Sequence, residues 1–143
     1  GSLVDDATLT KLICEVLGTL PGWEWRPTGP AYTASEVAIY YGAIPEEKVR
    51  AAIGVRIYQT ADDNVQALHS RRAQLRFRGQ RGVREGADNL AHPAFLVLTG
   101  LSRVGGISGV SRISMAPLGA DENGREERTD NYTITLDNPE ASS

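Results

Sequence analysis

Apolar and polar residues alternate in several short segments, and this two-residue period is the strongest constraint on how the chain can fold. In residues 52–60, Ile53, Val55 and Ile57 fall on one side, while Arg56 and Tyr58 fall on the other. Such alternation is typical of a strand that buries one face. The same period, or a β-rich run, predicts strands at Val37–Tyr41, 73–78, 110–116 and 128–137, with Trp23–Trp25 as a short strand or an ordered connection.

Two other segments repeat with a helical period. Residues 2–20 carry an apolar stripe that ends at Pro21, and Ser2 with Asp5 three residues on resembles a capping box. Residues 84–100 repeat in the same way, but Pro93 lies inside the pattern. Because proline removes a backbone donor and clashes with the preceding turn, we expect this helix to be kinked or to begin late.

The order of these segments defines a fold class. Asn123-Gly124 lies between two strand patterns and is a strong signal for a β-hairpin. Two segregated helices with largely antiparallel strands indicate an α+β fold, with a sheet of about 4–5 strands flanked by the helices. The 143 residues suit one domain, over residues 1–137, followed by a C-terminal tail at 138–143.

The sequence offers little that could support catalysis. The familiar motifs of metalloproteases, serine hydrolases and phosphate-binding loops are missing from it, and its glycine-rich stretch at 105–109 fits no nucleotide-binding spacing. Cys14 is the single cysteine, and His69 and His92 are dispersed. We therefore expect neither an enzyme nor a cofactor or metal site. With neither a signal peptide nor a long apolar run, the protein is expected to be soluble, made in a cytoplasm and independent of membranes.

Charge is distributed unevenly along the chain, although the net charge is only −3. Between residues 69 and 84 there are six arginines and no acid; we call this the arginine segment, and its members are Arg71, Arg72, Arg76, Arg78, Arg81 and Arg84. A second segment, residues 121–130, holds five acids against two arginines, and we call it the acidic segment. Its candidate contact residues are Asp121, Glu122, Glu126 and Glu127.

Three interpretations of these segments are open. A monomer with one basic edge and one acidic loop could pair head-to-tail with copies of itself, and such heterologous contacts close into rings when the rotation allows. The two segments could instead be independent solvated surfaces. The arginines could also contact nucleic-acid phosphates, but the segment lacks the interleaved aromatic residues that stack on bases.

The order of elements resembles a known family. Three segments are similar to segments of tail-terminator proteins from long-tailed bacteriophages (siphoviruses) of GC-rich hosts. They are Val37–Tyr41 with the following Gly-Ala-Ile-Pro, the strand pattern at 53–58 and the arginine-bearing strand at 73–79. The helix end at 96–101 and the closing segment at 128–133 also agree in order and spacing. The resemblance covers roughly residues 1–139, and its motifs are packing and turn patterns rather than catalytic signatures.

The resemblance implies a mixed α/β subunit that forms a hexameric ring. Such a ring caps the tail tube at the neck of the virion, ends tube polymerisation and presents a surface to the head–tail connector or stopper. It would be assembled in the host cytoplasm, with DNA passing through its lumen without sequence-specific binding. The family offers no catalytic residues to carry over. The alternatives are a connector or stopper protein of the phage neck, or a small nucleic-acid-binding module whose affinity would fall steeply with salt.

Overall fold

A computed structural model describes residues 5–28, 31–45, 49–59, 70–102 and 106–136. In these residues the elements follow one another as α1 (Asp6–Leu17), β1 (Trp23–Trp25), β2 (Val37–Tyr41), β3 (Ala51–Gln59), β4 (Ser70–Arg78), α2 (Gly86–Thr99), β5 (Ile107–Ala120) and β6 (Glu126–Leu136). Every predicted helix and strand is present, with boundaries shifted by a few residues.

The strands form one sheet in the order β1-β2-β3-β4-β6-β5. The first three are parallel neighbours, whereas β3 and β4, β4 and β6, and β6 and β5 are antiparallel. The predicted α+β fold with a mixed, largely antiparallel sheet is confirmed. The described sheet has six strands rather than four or five, because Trp23–Trp25 pairs with β2 in register, Trp23 opposite Val37.

Both helices pack against the same face of the sheet. Leu9, Ile13 and Leu17 of α1 share one buried cluster with strand residues such as Leu75 and Phe77. We call this side the helix face. On the other side, which we call the open face, a smaller cluster around Ala38 and Ala52 covers only the β2–β3 end. Over the described ranges, the rest of the open face has no such cover and is available to partners.

Both helices begin later than the sequence predicted. Asp5, not Ser2, caps α1, because its side chain accepts a hydrogen bond from the Thr8 N–H at 2.7 Å; Ser2 lies outside the described residues. The second helix begins at Gly86, two residues later than predicted, and continues through Pro93 to Thr99. Proline at this position costs one backbone hydrogen bond but does not end the helix.

The β5–β6 hairpin forms where Asn123-Gly124 predicted it. Asp121 Oδ1 accepts the N–H groups of Asn123 and Arg125, at 2.8 and 3.0 Å, and Gly124 takes a φ of +73° that suits glycine. The first strand of the hairpin, β5, runs from 107 to 120 instead of 110 to 116 and forms an edge of the sheet. Its register shifts at three places, the last between Pro117 and Gly119.

Candidate functional site

The arginine segment contains an interior strand, which corrects the expectation of a basic edge. β4 lies between β3 and β6, so its alternate side chains must enter either the helix face or the open face. Ala73, Leu75 and Phe77 are buried in the helix face, as the alternation predicted. Arg76 and Arg78 consequently project from the open face, in register with Gly54 and Ala52 of β3.

A groove of about 240 Å³ runs along the open face beside these arginines. One wall is the chain that follows β2, which crosses directly over Gly54; a β-carbon at Gly54 would collide with the carbonyl oxygen of Gly42. Glycine is therefore required for this close crossing. The groove is lined by Gly42, Ala43, Ile44, Gly54, Arg56, Gln74, Arg76 and Arg78.

The arginine and acidic segments meet within one chain. Because β4 and β6 are antiparallel neighbours, Arg76 Nη2 approaches the two carboxylate oxygens of Glu127 at 2.9 and 3.2 Å. Arg78 Nε lies 3.9 Å from Asp121 and 4.0 Å from Glu127. The carboxylate of Glu127 is 7% exposed, whereas half of the Arg76 side chain (51%) is exposed. Arg76, rather than Glu127, is thus accessible to another molecule.

The other predicted contact residues are spread over the molecule. Arg71 binds Asp6 at the start of α1, with Nε 3.0 Å from Oδ1. Arg81 donates from Nε to the Asn123 carbonyl in the hairpin turn, at 3.1 Å. The remaining members are the exposed Arg72, Arg84 and Glu122, and Glu126, which is half-buried. The structure therefore brings Arg76, Arg78, Asp121 and Glu127 together and leaves the rest apart.

Two groove residues were missed as site candidates in the sequence. Arg56 of β3 lies opposite Gln74 of β4 and donates to its side-chain oxygen at 2.8 Å. Gly54 allows the chain that follows β2, which forms one wall of the groove, to lie directly against β3. The alternation of β3 already placed Arg56 away from the core. Its position beside the arginines of β4 depends on strand pairing, which the local pattern does not encode.

A second charged cluster lies on the helix face and is buried. Asp130, at 0% exposure, accepts from Arg128 Nε at 2.7 Å and lies 3.4 Å from Arg112 Nη1. Arg128 also binds Asp88 of α2 at 2.9 Å. Burial alone would lower the pKa of Arg128, but its hydrogen bonds to Asp130 and Asp88 outweigh this effect and raise the pKa above its ordinary value. This cluster joins α2 to the sheet.

Groups that could support catalysis or bind metal are scarce in the described part of the chain. Among those residues, no three His, Cys, Asp or Glu side chains are grouped in a way that could hold a metal ion. Cys14 is buried, and burial raises the pKa of its thiol to about 12, so it stays protonated. His69 lies outside the described residues. Over the same ranges, neither helix has the length and apolar character that crossing a membrane requires.

The fold and the groove define a class: a small mixed α+β protein whose sheet is covered by helices on one face and presents polar, arginine-rich chemistry on the other. The family follows from comparison with known proteins. The model for the bacteriophage tail terminator protein family matches residues 17–138, and the chain belongs to this family. No curated protein matches the chain. The resemblance noted in the sequence is thus confirmed, and the protein is a structural component of a phage tail.

Proposed function

We propose that this protein forms the ring that closes the head-proximal end of the phage tail tube. The ring, a hexamer, ends polymerisation of the tube and joins the tail to the head connector or stopper in the neck of the virion. The family match over residues 17–138 carries the proposal. Residues 1–137 act as one domain with 138–143 as its tail, and the role is structural rather than enzymatic.

The outer strand β5 supports assembly with other copies. Residues 113–120 contain no charged side chain, and Ile113, Met115 and Leu118 are three of the six large apolar residues exposed in the described chain. Exposed apolar side chains concentrated on one strand are typical of a protein contact. The three register shifts and Pro117 interrupt the edge for hydrogen bonding, which favours contact through side chains rather than strand addition.

The two edges of the described sheet are unlike each other, which suits a ring. β1 has 3 residues and β5 has 14. A closed ring needs a heterologous contact, in which one surface of a subunit meets a different surface of the next. We assign β5 to one side of that contact. The exposed members of the charged segments, including Arg76, Arg81 and Glu122, then lie at surfaces for neighbouring subunits, tail tube or connector.

Electron microscopy of phage particles tests the function. We expect a ring of this protein at the head–tail junction, and tails of uncontrolled length when the protein is withheld from assembly. A position on the head side of the junction, with tail length still controlled in its absence, would instead identify a connector or stopper. Normal tails joined to heads without the protein would refute both roles.

A paired set of variants tests the β5 contact. Met115→Glu with Leu118→Glu places two charges on the exposed strand and should prevent ring formation, read by light scattering and by micrographs of tail ends. Leu96→Glu on α2 is the control, because Leu96 is at least as exposed as Met115 and Leu118 but lies on a helix. Intact rings from the β5 variant would rule out this surface while leaving the family assignment untouched.

A further inference from the structure

We infer that the open-face groove binds an acidic, extended segment of a neighbouring tail or neck protein. The identity of the neighbour rests on the proposed function. The chemistry of recognition rests on the groove itself: carboxylates of the bound segment lie against Arg56 and Arg76, with Arg78 at the inner end.

The groove carries more positive charge than its own acids balance. Glu127 is hydrogen-bonded to Arg76, and Asp121 approaches Arg78 only to 3.9 Å. Arg56 is bonded to Gln74, which is neutral. Among the described residues, three guanidinium groups therefore face two carboxylates, and only Glu127 is hydrogen-bonded to one of these guanidinium groups. A guanidinium presents a planar set of donors that matches a carboxylate, so a partner carboxylate is the group that complements this surface.

Arg78 provides an independent sign that an acceptor is missing. Its Nε is buried and has no hydrogen-bond partner within the described part of the chain. Burying a donor without an acceptor is unfavourable, and a charged donor more so. Arg78 Nη1 donates to the Pro45 carbonyl at 3.3 Å, and the Arg78 side chain lines the groove and is 20% exposed. A carboxylate that enters from the open side can therefore reach the exposed part of this guanidinium.

The dimensions of the groove favour a peptide over duplex DNA. Its volume is about 240 Å³. This space admits individual side chains but not a double helix. The wall formed by Gly42, Ala43 and Ile44 is largely apolar and faces the arginines across the groove. A segment that alternates acidic and apolar side chains satisfies both walls.

A binding assay with the full chain tests this inference. The probe is a short fluorescein-labelled oligoglutamate peptide, followed by fluorescence anisotropy at about 50 mM salt, beside a labelled DNA duplex of about 20 base pairs. Arg56→Gln with Arg76→Gln removes two groove charges. Arg50→Gln with Arg84→Gln removes two exposed charges outside the groove and is the matched control. We expect saturable peptide binding that weakens about tenfold or more in the groove variant and less than about twofold in the control.

Each outcome decides the matter. Equal weakening in both variants assigns the binding to net charge and overturns the inference, as does the lack of saturable peptide binding. Tighter binding of the duplex than of the peptide, lost only in the groove variant, assigns the groove to phosphates instead. If the double variant does not fold, Arg56→Gln alone serves, because Arg56 is tied only to Gln74 in the described structure. The assay uses isolated protein, so its failure is separable from a failure to form rings.

Discussion

Replacing Asp130 with asparagine tests whether the buried charged cluster holds the helix layer to the sheet. Asp130 is fully buried and accepts from Arg128 at 2.7 and 3.3 Å, and from Arg112 at 3.4 Å. Asparagine keeps the shape but removes the charge and turns one acceptor into a donor that faces a guanidinium. Losing one partner of a buried ion pair costs about 3–5 kcal/mol.

The structure places the expected loss at the lower end of that range. Arg128 keeps Asp88, at 2.9 Å, and Arg112 keeps its position over the Phe95 ring, 4.3 Å from the centroid. We therefore expect the free energy of unfolding to fall by about 3 kcal/mol, from a total that for small domains is about 5–15 kcal/mol. With a urea slope of about 2 kcal/mol per molar, the unfolding midpoint should fall by about 1.5 M.

Urea unfolding followed by tryptophan fluorescence measures this change, because Trp23 is 8% exposed in the folded chain. Asp88→Asn is the matched control. It removes the other carboxylate on Arg128, but Asp88 is 66% exposed and should cost less than about 1 kcal/mol. A loss below about 1 kcal/mol for Asp130→Asn, or equal losses for the two variants, would refute the assignment of the cluster as a stabilising buried network.

Three further predictions concern single positions. Tyr132→Phe should leave the free energy of unfolding unchanged or raise it by about 1 kcal/mol, because the buried hydroxyl makes no hydrogen bond of ordinary geometry among the described residues and has only a weak interaction with Arg112. A clear loss in urea unfolding would contradict this. Gly79→Ala should lower the free energy of unfolding by about 3 kcal/mol or more, because the new β-carbon would lie 2.5 Å from the Gly86 carbonyl carbon. Gly109→Ala is the control: its β-carbon would meet nothing within 4 Å, so the free energy measured by thermal unfolding should change by less than about 1 kcal/mol. Asp121 has a lowered pKa, because the N–H groups of the turn outweigh the opposing effect of burial. A carboxyl group whose pKa is lowered by folding stabilises the folded state above its ordinary pKa of 3.8, and this contribution is lost as the pH falls through the folded-state pKa. Wild type should therefore lose stability in acid more steeply than Asp121→Asn. Parallel curves of stability against pH for the two proteins would contradict this prediction.

Much of the fold could be predicted, because the alternation of apolar and polar residues within a strand indicates which of its faces is buried. The alternation at 73–78 placed Leu75 and Phe77 in the core and Arg76 and Arg78 outside it, and the structure agrees. The same parity was available at the start of β6. Arg128 and Asp130 lie four and two residues before the buried Tyr132, so all three side chains are on the same face of β6. The burial of Arg128 and Asp130 could therefore have been inferred, although charged side chains are usually exposed to solvent.

The groove could not be predicted, because it depends on which strands are neighbours. Alternation fixes the face of a side chain but not the strand beside it. Glu127 comes to Arg76 only because β6 inserts between β4 and β5, and Arg56 comes to Gln74 only because β3 pairs with β4. Two segments that looked like separate charged surfaces along the chain are therefore partly neutralised by each other.

The division of charge between the two faces of the sheet separates stability from recognition. On β6, Glu127 serves the groove on the open face, whereas Asp130 serves the buried cluster on the helix face. Within the described part of the chain, the groove pair Arg56 and Arg76 shares no hydrogen bond with Asp130 or Arg128. Changes at sites without shared partners usually add within about 0.5 kcal/mol. Combining Asp130→Asn with Arg56→Gln should therefore give the sum of their unfolding effects. A larger deviation would mean that the groove and the packing of α2 are energetically coupled through the sheet.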